Sequence, residues 1–421
     1  MDNFLTKLRL QTRSIIDNRS FNGITSRGNS PPASSPQKHN PFGVSRQTPR
    51  TPPSKRNKIV LVIDTPETDW ISVFKDRQAH HGIQDLRVEQ AEFSELNLAS
   101  YSDSGTVVDI QVKREGTVVV RSFRPDLILL RQSVRGLGSK EDWRSLLFGM
   151  KYGNIPSINS LASVFNFLEK PWVFAHLLQI QRKLGNEVFP LIPQAYYPNH
   201  KEMLITPKFP AVVKVGHANS GFGKVCVQNH RDFQDISTLV AVADTYATTE
   251  PFIEGIYDIR IQKIGENYRV FKRKSLSENW KTNMGSAVVE EIQLTERYKL
   301  WADECAKMFG GLDFLCVEAI QTGDGKEYII EVNDTGMKLF SETKEEDTQR
   351  IADLTIKRLK EKYPSSLETI NGKTASESLL SEALKVAGNP TSEDFQPAGD
   401  RNLSPSTTKL QGHFSGIIHD K

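Results

Sequence analysis

The chain has 421 residues, with 54 lysines and arginines against 51 aspartates and glutamates and a net charge of +3. That near balance argues against a dedicated nucleic-acid binder, and the length leaves room for two or three domains. Three cysteines, Cys226, Cys305 and Cys316, form an odd, sparse set without C-x-x-C spacing, so neither a disulfide scaffold nor a zinc module is indicated and reduced cytosolic thiols are expected.

The charge is unevenly placed. Residues 1–57 hold ten basic and two acidic residues, while 364–421 hold five and seven, leaving the middle at about −3. Within 23–57 Gly, Ser, Thr, Pro and basic residues dominate, a composition that cannot bury enough apolar surface to offset ordering entropy, so disorder is expected. Ahead of it, Phe4, Leu5, Leu8, Ile15 and Ile16 can share one helical face, with Lys7, Arg9 and Arg13 elsewhere. Two readings fit this start, a basic amphipathic segment on anionic membrane or a disordered tail with incidental apolar residues, while residues 1–57 as a whole, Arg- and Ser-rich and acid-poor, also have the composition of a mitochondrial transit peptide. No apolar run approaches the roughly 18 residues of a spanning helix.

Regular structure is predicted from "NKIVLVIDTP" onward. Ile59–Ile63 reads as a buried parallel strand, "PDLILLRQ" (125–132) as a second and "IPSINS" (155–160) as a third, with a helix over 140–152. Strands alternating with helices imply an α/β domain over 58–160, carrying an inserted hairpin turned at Glu115–Gly116. "KPWVFAHLLQIQRKLG" predicts a helix with Pro171 in its first turn and Gly185 at its stop. Short strands then dominate (211–215, 224–227, 248–253, 256–264, 268–274, 312–320 and 327–332), with helices near 231–243, 295–309 and 344–362. This is an α+β region over 161–363, followed by a mostly disordered tail over 364–421 with one possible helix at 375–386.

"VVKVGHANSGFGKV" (212–225) almost spells a phosphate loop. Gly216 and Gly221 have the four-residue gap, but Phe222 and Gly223 separate Gly221 from Lys224, and Val225 replaces the metal-binding hydroxyl. A strand-like stretch follows where a P-loop opens a helix. Gly221 and Gly223 nevertheless let backbone amides come close to an anion. Lys214 interrupts a run that otherwise reads as buried, which costs desolvation unless an anion meets it. Lys170 precedes Pro171, Lys224 follows the glycine loop and Lys281 lies in the polar "SENWKTNMGS". Any one of these suits a surface; together they form a plausible polyphosphate site.

In "LCVEAIQTGDGKEYIIEVND" a hairpin about residue 324.5 places Glu318 opposite Glu331, with Asn333 on the same face. Opposed carboxylates destabilise a sheet unless a cation intervenes. Glu318, Glu331 and Asn333 make an oxygen set for Mg²⁺ or Ca²⁺; a solvated face with paired lysines is the alternative. "TTEPFIEG" and "YDIRIQKIG" are expected to pair as another hairpin. There Glu250, Phe252 and Ile253 offer backbone bonds and an apolar surface to a flat base. Asp258 can accept from a ribose or simply pair with Arg260, which shares its strand face and can otherwise point at phosphate. No Ser/His/Asp signature or histidine ligand spacing is present, although His217 sits in the glycine loop.

The lysine ahead of a glycine-rich flap, E-x-F, D-x-R and a late Glu…Glu-x-Asn together resemble the ATP-grasp superfamily. "INSLASVFNFLEKPWVFA", "GHANSGFGKV", "YATTEPFI", "DIRIQKIG", "NWKTNMGSA" and "IIEVND" are similar to the synapsins over about 57–363. The resemblance implies an α/β pre-ATP-grasp domain followed by a two-subdomain α+β ATP-grasp domain between disordered tails. It implies ATP at Lys170, Lys214, Lys224, Glu250, Asp258 and Lys281, with Arg273 joining the phosphate site and a divalent cation, Ca²⁺ or Mg²⁺, at Glu318 and Glu331. It further implies a homodimer or higher homo-oligomer, a cytoplasmic phosphoprotein peripheral on synaptic vesicles at presynaptic terminals. Its partners would be anionic vesicle lipids, actin and protein kinases, and its role to tether and cluster vesicles and regulate neurotransmitter release.

Two departures stand out. "LRLQTRS" lacks the family's paired arginines before a serine, so that kinase site does not carry over. "RGNS" is the nearest substitute, and Ser30, Ser35, Thr48, Thr51 and Ser404 each precede proline. Phosphate there would lower the N-terminal charge and weaken a hold on anionic membrane. Asn333 supplies the Glu-x-Asn of catalytic ATP-grasp ligases, so an ATP-dependent carboxylate–amine ligase is the alternative. The basic arm and phosphorylatable flanks favour the scaffold over an enzyme.

Overall fold

An uninterrupted apolar strand needs cover on both faces, and β1 (Lys58–Ile63) has it. In this computed structural model, which describes residues 57–82, 86–114, 117–136, 141–205, 207–218, 221–276, 280–281 and 286–364, β1 pairs in parallel with β2 (Leu86–Ala91) and β6 (Leu127–Leu130). β6 continues to the two-residue β7 (Ser157–Ile158). Expectations for the two tails, the amphipathic start, the helix at 375–386 and the turn at 115–116 lie outside the described residues.

One face of this sheet, with Ile59, Leu61, Ile63, Ile128 and Leu130, packs on an antiparallel sheet of β3 (Leu96–Tyr101), β4 (Gly105–Arg114) and β5 (Thr117–Phe123) and on α2 (Arg144–Tyr152). The other face, with Val60, Val62, Leu127 and Leu129, meets Trp70 and Phe74 of α1 (Trp70–His81). It also meets Ile351, Ile356 and Leu359 of α7 (Lys344–Lys362), which joins the two ends of the described chain. Arg77 and His81 of α1 both reach Asp353 of α7, at 2.6 and 2.9 Å.

After the short α3 (Leu161–Asn166), α4 (Lys170–Leu184) starts with Pro171 in its first turn and stops at Gly185 (φ 86°), as its sequence predicts. With α6 (Glu296–Ala306), α4 covers one face of a five-stranded antiparallel sheet. Its order is β14 (Ala287–Ile292), β13 (Asn267–Ser275), β12 (Gly255–Ile264), β15 (Phe314–Thr322), β16 (Glu327–Asn333). Ile259, Ile261, Val317 and Ala319 point into that core, so their strand neighbours Asp258, Arg260 and Glu318 point out of it. A smaller sheet, β10 (Lys224–Val227), β9 (Ala211–Val215), β11 (Ala247–Pro251), β8 (Ala195–Tyr197), is backed by α5 (His230–Ala243) through Val213, Val227, Phe233 and Val240.

Three expectations need correction. The strands of "TTEPFIEG" and "YDIRIQKIG" do not form a hairpin. β11 has β9 and β8 as neighbours, and β12 has β13 and β15, so both edges of each strand are taken and the chain crosses from one sheet to the other at 252–254. The second helix begins at Arg144, because a bridge of Arg135 with Asp142 and the bond from Trp143 N to Val134 O hold the preceding stretch extended. The third parallel strand shrinks to Ser157–Ile158.

Trp301 is fully buried between α4, α6 and the large sheet, and its indole donates to Val188 O at 2.7 Å. Trp301→Ala removes that packing and the bond, so urea unfolding is expected to show a loss of about 3–5 kcal/mol.

Candidate functional site

Next to its turn, the β15–β16 hairpin pairs Gln321 with Glu327 and Ile320 with Tyr328, with Gly325 at φ 82° closing it. Carried onward, that register would set Glu318 opposite Ile330 and turn Glu331 onto the helix-covered face. A bulge at Ile330 shifts the pairing by one, so Glu318 meets Glu331, Val317 meets Val332 and Cys316 meets Asn333. The two glutamates therefore oppose each other as expected, through a bulge and not through symmetry about the turn.

Cations surround them. Arg260 lies opposite Glu318 on β12 and approaches Glu318 Oε1 at 3.7 Å, while its Nη2 donates to Lys338 O at 2.6 Å. Arg273 lies opposite Asp258 on β13 and reaches Asp258 Oδ2 at 3.1 Å and Glu318 Oε2 at 3.8 Å. The alternative pairing of Asp258 with Arg260 does not form. Residues two apart on one strand are separated by about 6.6–6.8 Å, whereas cross-strand neighbours sit at about 5 Å. Burial pushes the Glu318 carboxyl above the ordinary range, against the pull of Arg260 and Arg273. Burial acts the same way on Glu331, but Lys224, Lys170 and Lys214 outweigh it and hold that carboxyl well below the range.

On the small sheet Lys214 and Lys224 stand directly opposite each other. Each turns to a carboxylate: Lys214 Nζ to Glu250 Oε2 at 2.8 Å within the sheet, and Lys224 Nζ to Glu331 Oε2 at 3.4 Å across to the large sheet. Gln194 Nε2 also donates to Glu250 Oε2, at 3.1 Å. From the start of α4, Lys170 donates to Asn333 Oδ1, and Asn333 Nδ2 faces Glu331 Oε1 at 3.4 Å. The glycine loop joins two antiparallel strands, with Val215 N donating to Gly223 O at 2.8 Å and Gly216, Gly221 and Gly223 all at positive φ. It is a flap and not a helix-opening cradle. A Cβ on Gly223 would stand 3.0 Å from Val215 O. His217 in the flap is pushed down to about 4 by burial and by Lys170 and Arg135, so its imidazole is neutral at pH 7.

Between the two sheets lies a cavity of about 610 Å³. Lys214, Lys224, Glu250, Phe252, Ile253, Asp258, Arg273, Lys281, Glu318, Glu331 and Asn333 all line it. Lys170 stands behind Asn333 and lines smaller neighbouring cavities, and Gly221 and Gly223 shape the flap without lining the large one. Sequence reasoning missed Gln194, Lys274, Trp280 and Lys338, and weighed Arg260 mainly as a partner of Asp258. Trp280, beside Lys281, packs edge-on against Phe252 at 5.9 Å and carries Lys281 over its ring at 5.2 Å; an aromatic next to a candidate lysine was its one legible signal. Lys338 and Gln194 arrive through loop geometry and carry none.

The cavity fits a polyphosphate with a hard cation. Seven cationic side chains and five carboxylates line it, an excess of two positive charges. The Nε atoms of Arg260 and Arg273 are buried without a hydrogen-bond partner. Two carboxylates held at cross-strand distance are hard oxygen donors. Among the described residues no group of three or more His, Cys, Asp or Glu stands together as a metal site, so Glu318 and Glu331 need further oxygens, such as phosphate supplies. Asn333 Oδ1 is turned toward Lys170.

The chain is similar to known proteins. Residues 53–157 match the family model described as the synapsin pre-ATP-grasp domain, and 159–361 the one described as "Synapsin, ATP binding domain". A synapsin of Drosophila melanogaster is 43% identical over 376 residues, which is 88% of this chain but 36% of that protein; the chain thus spans about a third of its relative's length. Among solved structures, a RimK-domain ATP-grasp protein of Sphaerobacter thermophilus aligns with a TM-score of 0.48 at 13% identity, covering 71% of this chain and 99% of that one. The VanG D-Ala:D-Ser ligase of Enterococcus faecalis aligns at 0.47 and 13%, covering 72% and 99%. The α/β domain is a pre-ATP-grasp domain and the two-sheet α+β body an ATP-grasp domain.

Two outcomes follow from the geometry. The depressed Glu331 carboxyl contributes stability that is present above the ordinary glutamate pKa, about 4.3, and is lost as pH falls through its lower folded value. Glu331→Gln should therefore shrink the difference in unfolding free energy between neutral and strongly acidic pH, measured by urea titration at both. Gly223→Val should leave far-UV circular dichroism unchanged and weaken nucleotide binding about tenfold or more, since the flap must deform at a positive φ and against Val215 O.

Proposed function

Because this chain belongs to the synapsin family, we propose that it is a nucleotide-regulated scaffold that tethers and clusters synaptic vesicles. The observation that supports this most is the cleft between the two sheets. Its cations exceed its carboxylates by two, which complements a triphosphate partly neutralised by one divalent ion. The ATP-grasp fold implies ATP with a divalent cation. In the proposed site, Phe252, Ile253 and Val212 offer the apolar surface for the base, and Asp258 accepts from the ribose. Lys170, Lys214, Lys224, Arg273 and Lys281 meet the phosphates, while Glu318 and Glu331 hold the cation with Asn333 beside them.

Three of the cleft's cations are paired with its carboxylates: Lys214 sits on Glu250, Lys224 on Glu331 and Arg273 on Asp258. The pair of Lys224 with Glu331 links the small sheet to the large one. Binding would exchange it, giving Lys224 a phosphate and Glu331 a cation, so the ligand takes over the link between the sheets. That exchange is the proposed route from nucleotide binding to the arrangement of the body, and through it to self-assembly. The basic segment 1–57 would hold anionic vesicle lipid, with actin and further copies of the chain as the other tethered partners and phosphorylation of the flanks as the release. No helix among the described residues is long and apolar enough to cross a membrane, and peripheral attachment on the cytoplasmic side of vesicles accords with that.

Isothermal titration of the full chain with ATP, in Mg²⁺ and separately in Ca²⁺, tests the site. One nucleotide per chain is expected, with an affinity that depends on the divalent ion and loses that dependence in Glu331→Gln; the two series also read the ionic preference. Ion-dependent binding that survives unchanged in Glu331→Gln would remove the basis for the assignment. Sedimentation with phosphatidylserine vesicles, with and without residues 1–57, tests the tether.

A further inference from the structure

Strand β13 runs out in "FKRKSL" (271–276), with Lys272, Arg273 and Lys274 directly ahead of Ser275 and the apolar Leu276 behind it. Among the described residues, Ser275 is the one serine or threonine with basic side chains both two and three positions before it. Strand alternation splits the run between two faces. Val270 lies in the helix-covered core, and Lys272, on the same face, stands over the Tyr257 ring at 4.9 Å. Phe271, Arg273 and Ser275 take the opposite face. There Phe271 meets Phe340 at 4.8 Å and Arg273 reaches Asp258, while Arg273, Lys274 and Ser275 all line the large cleft.

Ser275 is also the last residue of its strand. It is paired with Ala287 of β14, and Leu276 N donates to Ser286 O at 3.0 Å. β14 is the outermost strand of this sheet, and local opening costs least at such ends. Lys274 and Leu276 are exposed, Leu276 to 66%. A phosphoserine carries about −1.5 to −2 charges at neutral pH. The cations of the cleft exceed its carboxylates by two, so a single phosphate on its wall cancels the excess that suits it to a polyphosphate. Arg273, Lys274 and Lys281 line the same cleft and offer that phosphate charge-assisted bonds.

We propose that Ser275 is a phosphorylation site for a basophilic serine kinase, one that selects positive charge ahead of the serine, and that phosphate there and nucleotide in the cleft exclude each other. In the transfer, Ser275 Oγ bonds to the γ-phosphorus of the kinase's ATP as the bond from that phosphorus to the β–γ bridging oxygen breaks. ADP leaves with the bridging oxygen, and the hydroxyl proton passes to the kinase's base. The exclusion runs in both directions, because the kinase needs Arg273 drawn away from Asp258 and the cleft. The exclusion rests on the nucleotide reading; the phosphorylation site does not.

The test treats the full chain with the catalytic domain of a basophilic serine kinase and labelled ATP, kept below the concentration that half-fills the cleft. Mass spectrometry maps the phosphate and separates Ser275 from serines of the tails. Close to one phosphate per chain is expected at Ser275, with a rate about tenfold lower in Lys272→Gln, which removes a cation outside the cleft. Calorimetry with a non-hydrolysable ATP analogue and Mg²⁺ should then show binding about tenfold or more weaker than in the untreated chain. Ser275→Ala, treated in the same way, should keep its own untreated affinity, since any tail phosphates are present there too. With the analogue saturating the cleft, Ser275 should be phosphorylated about tenfold more slowly, after a reference peptide in the same mixture corrects for slowing of the kinase itself.

No phosphate at Ser275 of the folded chain overturns the proposal, even where the urea-unfolded chain accepts one. So does phosphate at Ser275 that leaves analogue affinity within twofold, or an equal rate of phosphorylation with the cleft empty and filled. If Ser275→Ala does not fold, the treated chain is compared before and after a phosphatase, where recovered affinity is expected and its absence is equally fatal. Failure of the nucleotide reading shows separately, as an untreated chain that binds no analogue.

Discussion

Two negative charges on facing positions of neighbouring strands repel, and in a half-buried sheet they repel without water to screen them. The bulge at Ile330 creates that situation deliberately between Glu318 and Glu331. Much of the cleft can be understood as the compensation. Arg260 and Arg273 come from the same sheet, Lys224 from the facing sheet and Lys170 from a helix start, and each brings positive charge within reach of one of the two carboxylates. The two respond differently. Glu318, deeper and facing arginines that are themselves buried, is pushed toward its neutral form, while Glu331, surrounded by three lysines, is held ionised. Two carboxylates at cross-strand distance are thus pushed in opposite directions by their surroundings.

The large and the small sheet are cored separately. α4 and α6 cover one face of the five-stranded sheet with a continuous core, and α7 runs back to close the N-terminal parallel sheet. The small sheet has its own core with α5. Across the cleft, Lys224 and Glu331 form an ion pair at 3.4 Å. The carboxylates Glu318 and Glu331 thus stand on the large sheet, and Lys214 and Lys224 on a smaller sheet with a core of its own.

Much of this was legible in the residues. The parallel strands announced themselves because a run such as Ile59–Ile63 has no polar face to offer solvent. The helix from Lys170 was bounded by Pro171 and Gly185, whose backbone restrictions act locally. The flap was separable from a P-loop because the residues after Lys224 alternate, and strand alternation survives any packing. The lysines and glutamates of the cleft could be named, since a charged residue inside an apolar run has to be explained by a partner. What misled was pairing: Glu254–Gly255 looks like a hairpin turn, yet β11 and β12 join different sheets.

The sequence by itself determined many of the elements, the order of the two domains and the chemical types in the cleft, because propensity, periodicity and the cost of burying charge all act within a few residues. Only the tertiary structure decided who meets whom. The choice of Arg273 over Arg260 by Asp258, the arrival of Lys338 and the meeting of Lys224 with Glu331 each depend on segments brought together by the fold. Strand partners are selected by competition among all available edges and by the closure of shared cores, and that competition has no local signature to read.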